Sequence, residues 1–210
     1  MLAVRWIIAP AAVAAVCWLF PPFHVVSLKT ATAEKLAATF NATPFAETFW
    51  TTRLLASLDQ AVKADELLSA IQADPAAAKK KFSRSAGLSE SYFYFLRGEG
   101  KIIFVSEDEV ALAVTAGGTN AEVSLSTGLI FGNALRDATG LLNANNYPNS
   151  QDFNDISAAL NHIVETGVLP KLREQAKVGA RISFAGCVEV DGESSDLKPL
   201  KVIPIQTEVQ

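Results

Sequence analysis

Residues 91–105 read SYFYFLRGEGKIIFV, and the rest of the fold is worked outward from them. Tyr92 to Leu96 are five large apolar residues in succession, with no helical period. A short run that is apolar at every position predicts a strand buried on both faces or lying at a domain junction. Gly98 and Gly100 follow within the strand pattern, where paired glycines predict a bulge or sharp bend before Lys101–Val105. They do not make a phosphate loop, because the third glycine of G-x-G-x-x-G would fall at Ile103.

Downstream, Val110, Leu112 and Val114 alternate with smaller residues. Gly117-Gly118-Thr119-Asn120 predicts a turn, after which Val123 and Leu125 alternate with Glu122, Ser124 and Ser126. Ile182, Phe184, Gly186, Val188 and Val190 alternate with Arg181, Ser183, Ala185, Cys187 and Glu189, a strand that ends in the turn Asp191-Gly192-Glu193. Leu200 to Thr207 is a last strand. Pro204 predicts an edge position for it, because proline has no N–H to give to a ladder. Between the two strand groups, Phe153, Ile156, Leu160 and Ile163 recur at helical spacing, and Val168 to Lys177 predicts a further helix.

Upstream, residues 30–84 read as helices. Thr43-Pro44 and Asp74-Pro75 each combine a capping side chain with a proline suited to a first turn. Phe45, Phe49, Leu55, Leu58 and Val62 share one face, widened by Trp50 and Leu54, and Leu67, Leu68 and Ile71 continue the spacing. Lys79-Lys80-Lys81 reads as a solvated helix end, where cations favour the dipole. The predicted class is therefore α+β. An N-terminal membrane or signal helix over 1–26 precedes a single periplasmic domain over 27–210. That domain is helical over 30–90. It continues as a small antiparallel β-barrel of the oligonucleotide/oligosaccharide-binding (OB) type over 91–210, with helices inserted at about 150–177.

Composition agrees with one folded domain. Of 210 residues, 50% are hydrophobic and 19% charged, which excludes intrinsic disorder. A net charge of −4 excludes a strongly basic nucleic-acid binder, since phosphate neutralisation needs surplus Lys and Arg. The segment Trp6 to Phe20 is WIIAPAAVAAVCWLF, preceded only by Arg5 and the α-amino group as cations. Trp18, Phe20 and Phe23 suit a membrane interface. Three readings stay open: an uncleaved anchor, a cleaved signal using Ala12 and Ala14, and a lipoprotein signal ending at Cys17. Each places the folded part on the periplasmic side of the cytoplasmic membrane. Cys17 and Cys187 have no neighbouring thiol that would make a redox or zinc motif. His24 and His162 are the only histidines and read as interfacial and solvated.

The stretch from Gly128 to Asp137, GLIFGNALRD, followed by Asn149 to Asn161, NSQDFNDISAALN, resembles domain-of-unknown-function family 2291, a bacterial family of periplasmic lipoproteins. Val25-Val26-Ser27-Leu28, the Gly98-Glu99-Gly100 kink and Gly179–Gly186 match as well, so the resemblance spans roughly residues 17–208. Leu129 stands where that family usually has proline, and Val16 where it has a small residue before the lipidated cysteine. The resemblance implies an exported protein of no established activity. It also implies an accessory role beside sugar ABC transporters, whose genes often neighbour the family's.

Candidate binding residues are Asn133, Arg136 and Asp137. Arg136 offers a planar donor fork and Asp137 an acceptor pair. At a strand end facing a cavity they suit sugar hydroxyls or a carboxylate; tied to backbone they hold a strand–helix junction. Asn149 and Gln151, with Asn145 and Asn146, suit sugar hydroxyls or simply a turn. Trp50, Tyr92 and Tyr94 are a stacking platform or core. No nucleophile elbow, Ser-x-x-Lys, metal spacing or phosphate loop occurs, so no catalytic residue, metal or cofactor is assigned. Glu107, Asp108 and Glu109 read as a polar turn. The expected function is a non-enzymatic, membrane-attached accessory or binding module. Its expected partners are the membrane, through the N-terminal segment, and transporter components or a sugar-like ligand. The alternative is an envelope hydrolase using two carboxylates.

Overall fold

Asn41 opens the first helix. Its side-chain oxygen accepts the N–H of Thr43 at 3.3 Å, so α1 (Ala42–Phe49) starts ahead of the predicted Thr43-Pro44 signal. Pro44 falls in the first turn, where an N–H has no helical acceptor to lose. The computed structural model describes residues 40–85, 91–147, 149–191 and 197–210, and Asn41–Gln210 is one unit. Cys17, His24 and the apolar run around them lie outside the described residues. No helix among the described residues is long and apolar enough to cross a membrane.

After α1 the helix widens over Trp50–Leu54 and tightens over Leu55–Gln60. A wide turn carries an extra residue and moves the apolar stripe along by one. Trp50 and Leu54 are buried alongside Phe49, and Leu55 is left 37% exposed. Two short strands, β1 (Val62–Lys63) and β2 (Arg84–Ser85), lie within the stretch predicted as wholly helical. They flank α2 (Ala64–Ala73) and α3 (Pro75–Phe82). Asp74 caps α3 as its sequence predicts, accepting the N–H groups of Ala76 at 2.9 Å and Ala77 at 3.1 Å. At the other end of α3, Lys79 lies 3.8 Å above the Tyr92 ring and Lys81 3.4 Å from Glu66.

The barrel strands are β3 (Tyr92–Val105), β4 (Glu109–Ala113), β5 (Val123–Ser126), β6 (Arg181–Val190) and β7 (Leu200–Val209). Each pairs with the next in the ring β3-β4-β5-β7-β6 and back to β3. Four seams are antiparallel and β5–β7 is parallel. Five strands cannot alternate direction all the way round, so one parallel seam is unavoidable in a ring predicted as antiparallel. β3 is a single strand running through Gly98 and Gly100. Its register shift comes later, between Ile102 and Phe104. Pro204 is not on an edge strand. It lies beyond Val202, the last residue that β7 pairs with β5, and at a register shift against β6. Its missing N–H is tolerated where the ladder is already broken.

Between β5 and β6 come α4 (Ala134–Asp137), α5 (Ser150–Ile163), a wide turn (Val164–Val168) and α6 (Leu169–Gln175). Tyr92, Tyr94, Leu96, Ile102, Leu112, Leu125, Phe184 and Val202 fill the barrel core, joined by Leu67 and Ile71 of α2. Phe93 and Phe95 alternate with them and are buried too. The aromatic run is thus covered on both faces as predicted, with α4 packing on β3, β6 and β7 from outside.

The β4–β5 connection hangs on one carboxylate. Glu122 accepts the N–H groups of Val114 (2.8 Å) and Thr115 (2.7 Å) and the Thr115 hydroxyl (2.6 Å). Burial alone would raise its pKa, but these three bonds outweigh burial and hold the carboxyl below its ordinary value. A depressed folded-state pKa contributes stability above the unfolded value, and that stability is lost as pH falls through the folded one. Glu122→Gln is expected to lower the urea midpoint at neutral pH. Titrating both proteins to acid pH should close the gap below the ordinary glutamate range.

Candidate functional site

Asn133, Arg136 and Asp137 are brought together, but in a tied cluster and not at a strand end facing a cavity. They stand at the start of and within α4, against α5. Asp137 accepts from Arg136 in a two-pronged fork, Nε to Oδ1 at 2.7 Å and Nη2 to Oδ2 at 2.8 Å. Arg136 Nη1 also donates to the Phe153 carbonyl (3.2 Å) and to Asn154 Oδ1 (3.4 Å). The guanidinium lies 3.8 Å from the Phe153 ring centre, and both charged residues are more than nine-tenths buried. Asn133 accepts from the Ser157 hydroxyl at 2.9 Å, while its backbone N–H donates to Glu189 at 3.0 Å.

Asn149 and Gln151 stand elsewhere, at the start of α5. Asn149 is the helix cap, accepting the Asp152 N–H at 3.0 Å, and Gln151 donates to Asp155 at 2.7 Å. Trp50, Tyr92 and Tyr94 are core residues. Glu109 closes the predicted polar turn, where its N–H meets the Ser106 hydroxyl at 3.1 Å. His162 is exposed on α5, 4.0 Å from Glu165. Tyr94 and Cys187 are buried. Burial pushes both groups well up, in Tyr94 with help from Tyr92, so neither offers an anion at neutral pH.

A different place on the molecule is open and polar. A cleft of about 690 Å³ lies on the outer surface of β1, β3, β6 and β7, with Leu58 and Asp59 from the turn after α1 beside it. Register builds its floor. Lys63 pairs with Arg97, Arg97 with Ala185, and Ala185 with Gln206. The next row is Glu99, Ser183 and Glu208. Asp65 and Arg181 complete the charged lining, so four carboxylates face three cations.

Two of the acids are paired, Asp59 with Arg97 at 3.1 Å and Glu99 with Arg181 at 3.7 Å. These pairs are largely exposed, so they add little to stability and exchange easily for a partner's charges. The aromatic lining residue, Phe184, belongs to the barrel core. None of Asn133, Arg136, Asp137, Asn149 and Gln151 lines this cleft. Among the described residues no group of three His, Cys, Asp or Glu side chains could hold a metal. Sequence reasoning missed the cleft because its residues come from six elements, the turn after α1, β1, α2, β3, β6 and β7. The available signal was polar and charged residues at alternate strand positions, Arg97 and Glu99 on one strand and Gln206 and Glu208 on another.

A family model described as a predicted periplasmic lipoprotein (DUF2291) matches residues 11–208. A crystal structure of an OB-fold protein from Thermotoga maritima is similar at TM-score 0.73 and 25% identity. The match covers 82% of this chain and 99% of that one. No curated protein matches.

Proposed function

The chain belongs to family 2291 of predicted periplasmic lipoproteins, and from that footing we propose that it is a non-enzymatic binding module on the periplasmic side of the membrane. It is held there by its N-terminal segment and engages a protein of a sugar-uptake system through the cleft on β3, β6 and β7. The observation that carries this reading is the lining of that cleft: nearly balanced, exposed charges, with the one aromatic ring committed to the core. A sugar pocket would set a free aromatic face beside amides, whereas a mixed-charge surface suits a complementary protein surface. OB barrels that bind oligonucleotides use the face of their second and third strands, here β4 and β5. This cleft is on the first, fourth and fifth.

The test is capture from solubilised membranes with the anchored chain as bait. Wild type is expected to retain transporter components, and less of them as salt rises, because exposed charges are screened beyond roughly 8 Å at physiological ionic strength. Arg97→Glu should lose the captured protein while melting like wild type, its side chain being substantially exposed. Equal capture by wild type and Arg97→Glu would rule the cleft out.

A second reading draws on the four carboxylates, which could serve a hydrolase working through an acid pair. Turnover of glycans or esters that disappears in Glu208→Gln would replace the binding reading.

A further inference from the structure

Between β5 and α4 the chain reads Gly128-Leu-Ile-Phe-Gly-Asn133, without a formal charge. Leu129 and Phe131 are 76% and 75% exposed, while Ile130 between them is buried. The loop is pinned from behind. Gly128 N–H donates to the Asp108 carbonyl at 3.2 Å, and Ile130 N–H to Glu165 at 2.9 Å. Asn161 donates to the Gly132 carbonyl at 3.2 Å, and Asn133 N–H donates to Glu189 at 3.0 Å. Gly132 has φ of +86°, and a Cβ there would press on the Glu189 carboxylate, so the bend is built around that acid.

We propose that Leu129 and Phe131 form a membrane-contacting tip, a second attachment that seats the barrel on the bilayer surface. Three arguments select lipid as the occupant. The tip projects two side chains outward, and a fluid surface accepts such a shape without a matching pocket. The Ile130 and Asn133 N–H groups and the Gly132 carbonyl already have partners inside the protein, so these three need not be stripped of water on entering the interface. The domain belongs to a lipoprotein family, and a tether raises the effective concentration of nearby bilayer enough for a two-residue contact to matter. Charge does not attract this chain to anionic lipid, since it carries a net −4, so the contact must be apolar. The inference rests on membrane attachment and not on the cleft, so the two readings fail separately.

The experiment places the photo-crosslinker p-benzoylphenylalanine at position 131 of the full chain, and at position 80, exposed and outside the cleft, as a control. Both proteins are irradiated in cell membranes and in vesicles of phosphatidylethanolamine and phosphatidylglycerol. Lipid adducts are expected at 131 in both settings, well above the control, and they should fall to the control level when Leu129→Ser is added. A thermal melt unchanged by these surface substitutions shows that the fold is intact. A protein adduct at 131 in cell membranes in place of lipid overturns the proposal in favour of a protein-docking tip. Adducts no stronger than at 80, or a full chain that stays in the soluble fraction, overturn it outright.

Discussion

Arg136→Ala is expected to unfold about 3–5 kcal/mol more easily than wild type, because it leaves the Asp137 carboxylate buried without its cation. The pair is more than nine-tenths buried, and its fork geometry, 2.7 and 2.8 Å, gives the charges their main compensation for leaving water. Arg136 also bridges to α5 through the Phe153 carbonyl and stacks on that ring, so the substitution loosens α4 from α5 as well. Urea unfolding followed by circular dichroism measures the loss. Arg136→Lys should recover only part of it, since an ammonium cannot reproduce the planar fork. Replacing both partners, Arg136→Met with Asp137→Leu, should be far milder than either half alone, as expected when a buried pair is exchanged for apolar packing. A single alanine variant that melts like wild type and loses a bound partner would move Arg136 from the scaffold to the binding site.

The second large effect lies at the β6–β7 seam of the barrel. A Cβ on Gly186 would run into the Ile203 carbonyl oxygen and lie 2.5 Å from Val202 Cγ1. Gly186 stands opposite Pro204, where the β6–β7 register shifts. The obstacle is partner-strand backbone, which cannot swing aside as a side chain can. Gly186→Ala is therefore expected at the upper end of overpacking costs, about 3 kcal/mol. For a domain of this size that corresponds to a melting temperature lower by roughly 6–12 °C. Calorimetry of wild type and variant decides it; a shift of a degree or less would show that the two strands can separate there freely.

Much of the molecule was legible along the chain. The apolar–polar alternation of Arg181–Val190 and Val123–Ser126 marked strands, because successive strand side chains point to opposite faces whatever the partner. Asp74-Pro75 marked a helix start, because a cap and its N–H groups lie within three residues of one another. The apolar run Tyr92–Leu96 announced burial on both faces. The OB-type barrel with its helical insertion followed from the count and order of these elements.

Other features were not legible because they depend on partners distant in the chain. The first helix begins at Asn41, one of several residues able to cap it. The widened turn at Trp50–Leu54 shifted the buried stripe without leaving a mark in the local pattern. Pro204 was read as an edge marker, yet a ring has no edge, and the gap that admits it arises where β5 ends. Arg136 and Asp137 drew attention as a polar pair on a junction. Only the packing of α4 on α5 determines that their donors and acceptors are spent on each other.

By itself, then, the sequence determined the long strands of the barrel, the helices inserted between its two strand groups, and the family resemblance. All of these rest on neighbours within a few residues or on composition. Tertiary structure alone decided which strands lie side by side and in what register. It set the parallel β5–β7 seam, lined up Lys63, Arg97, Ala185 and Gln206 across four strands, and left Leu129 and Phe131 outside while burying Ile130. The physical reason is that periodicity is a local property of the backbone. A cleft or a pinned loop is made by long-range pairing, and its energy appears only once the ring has closed.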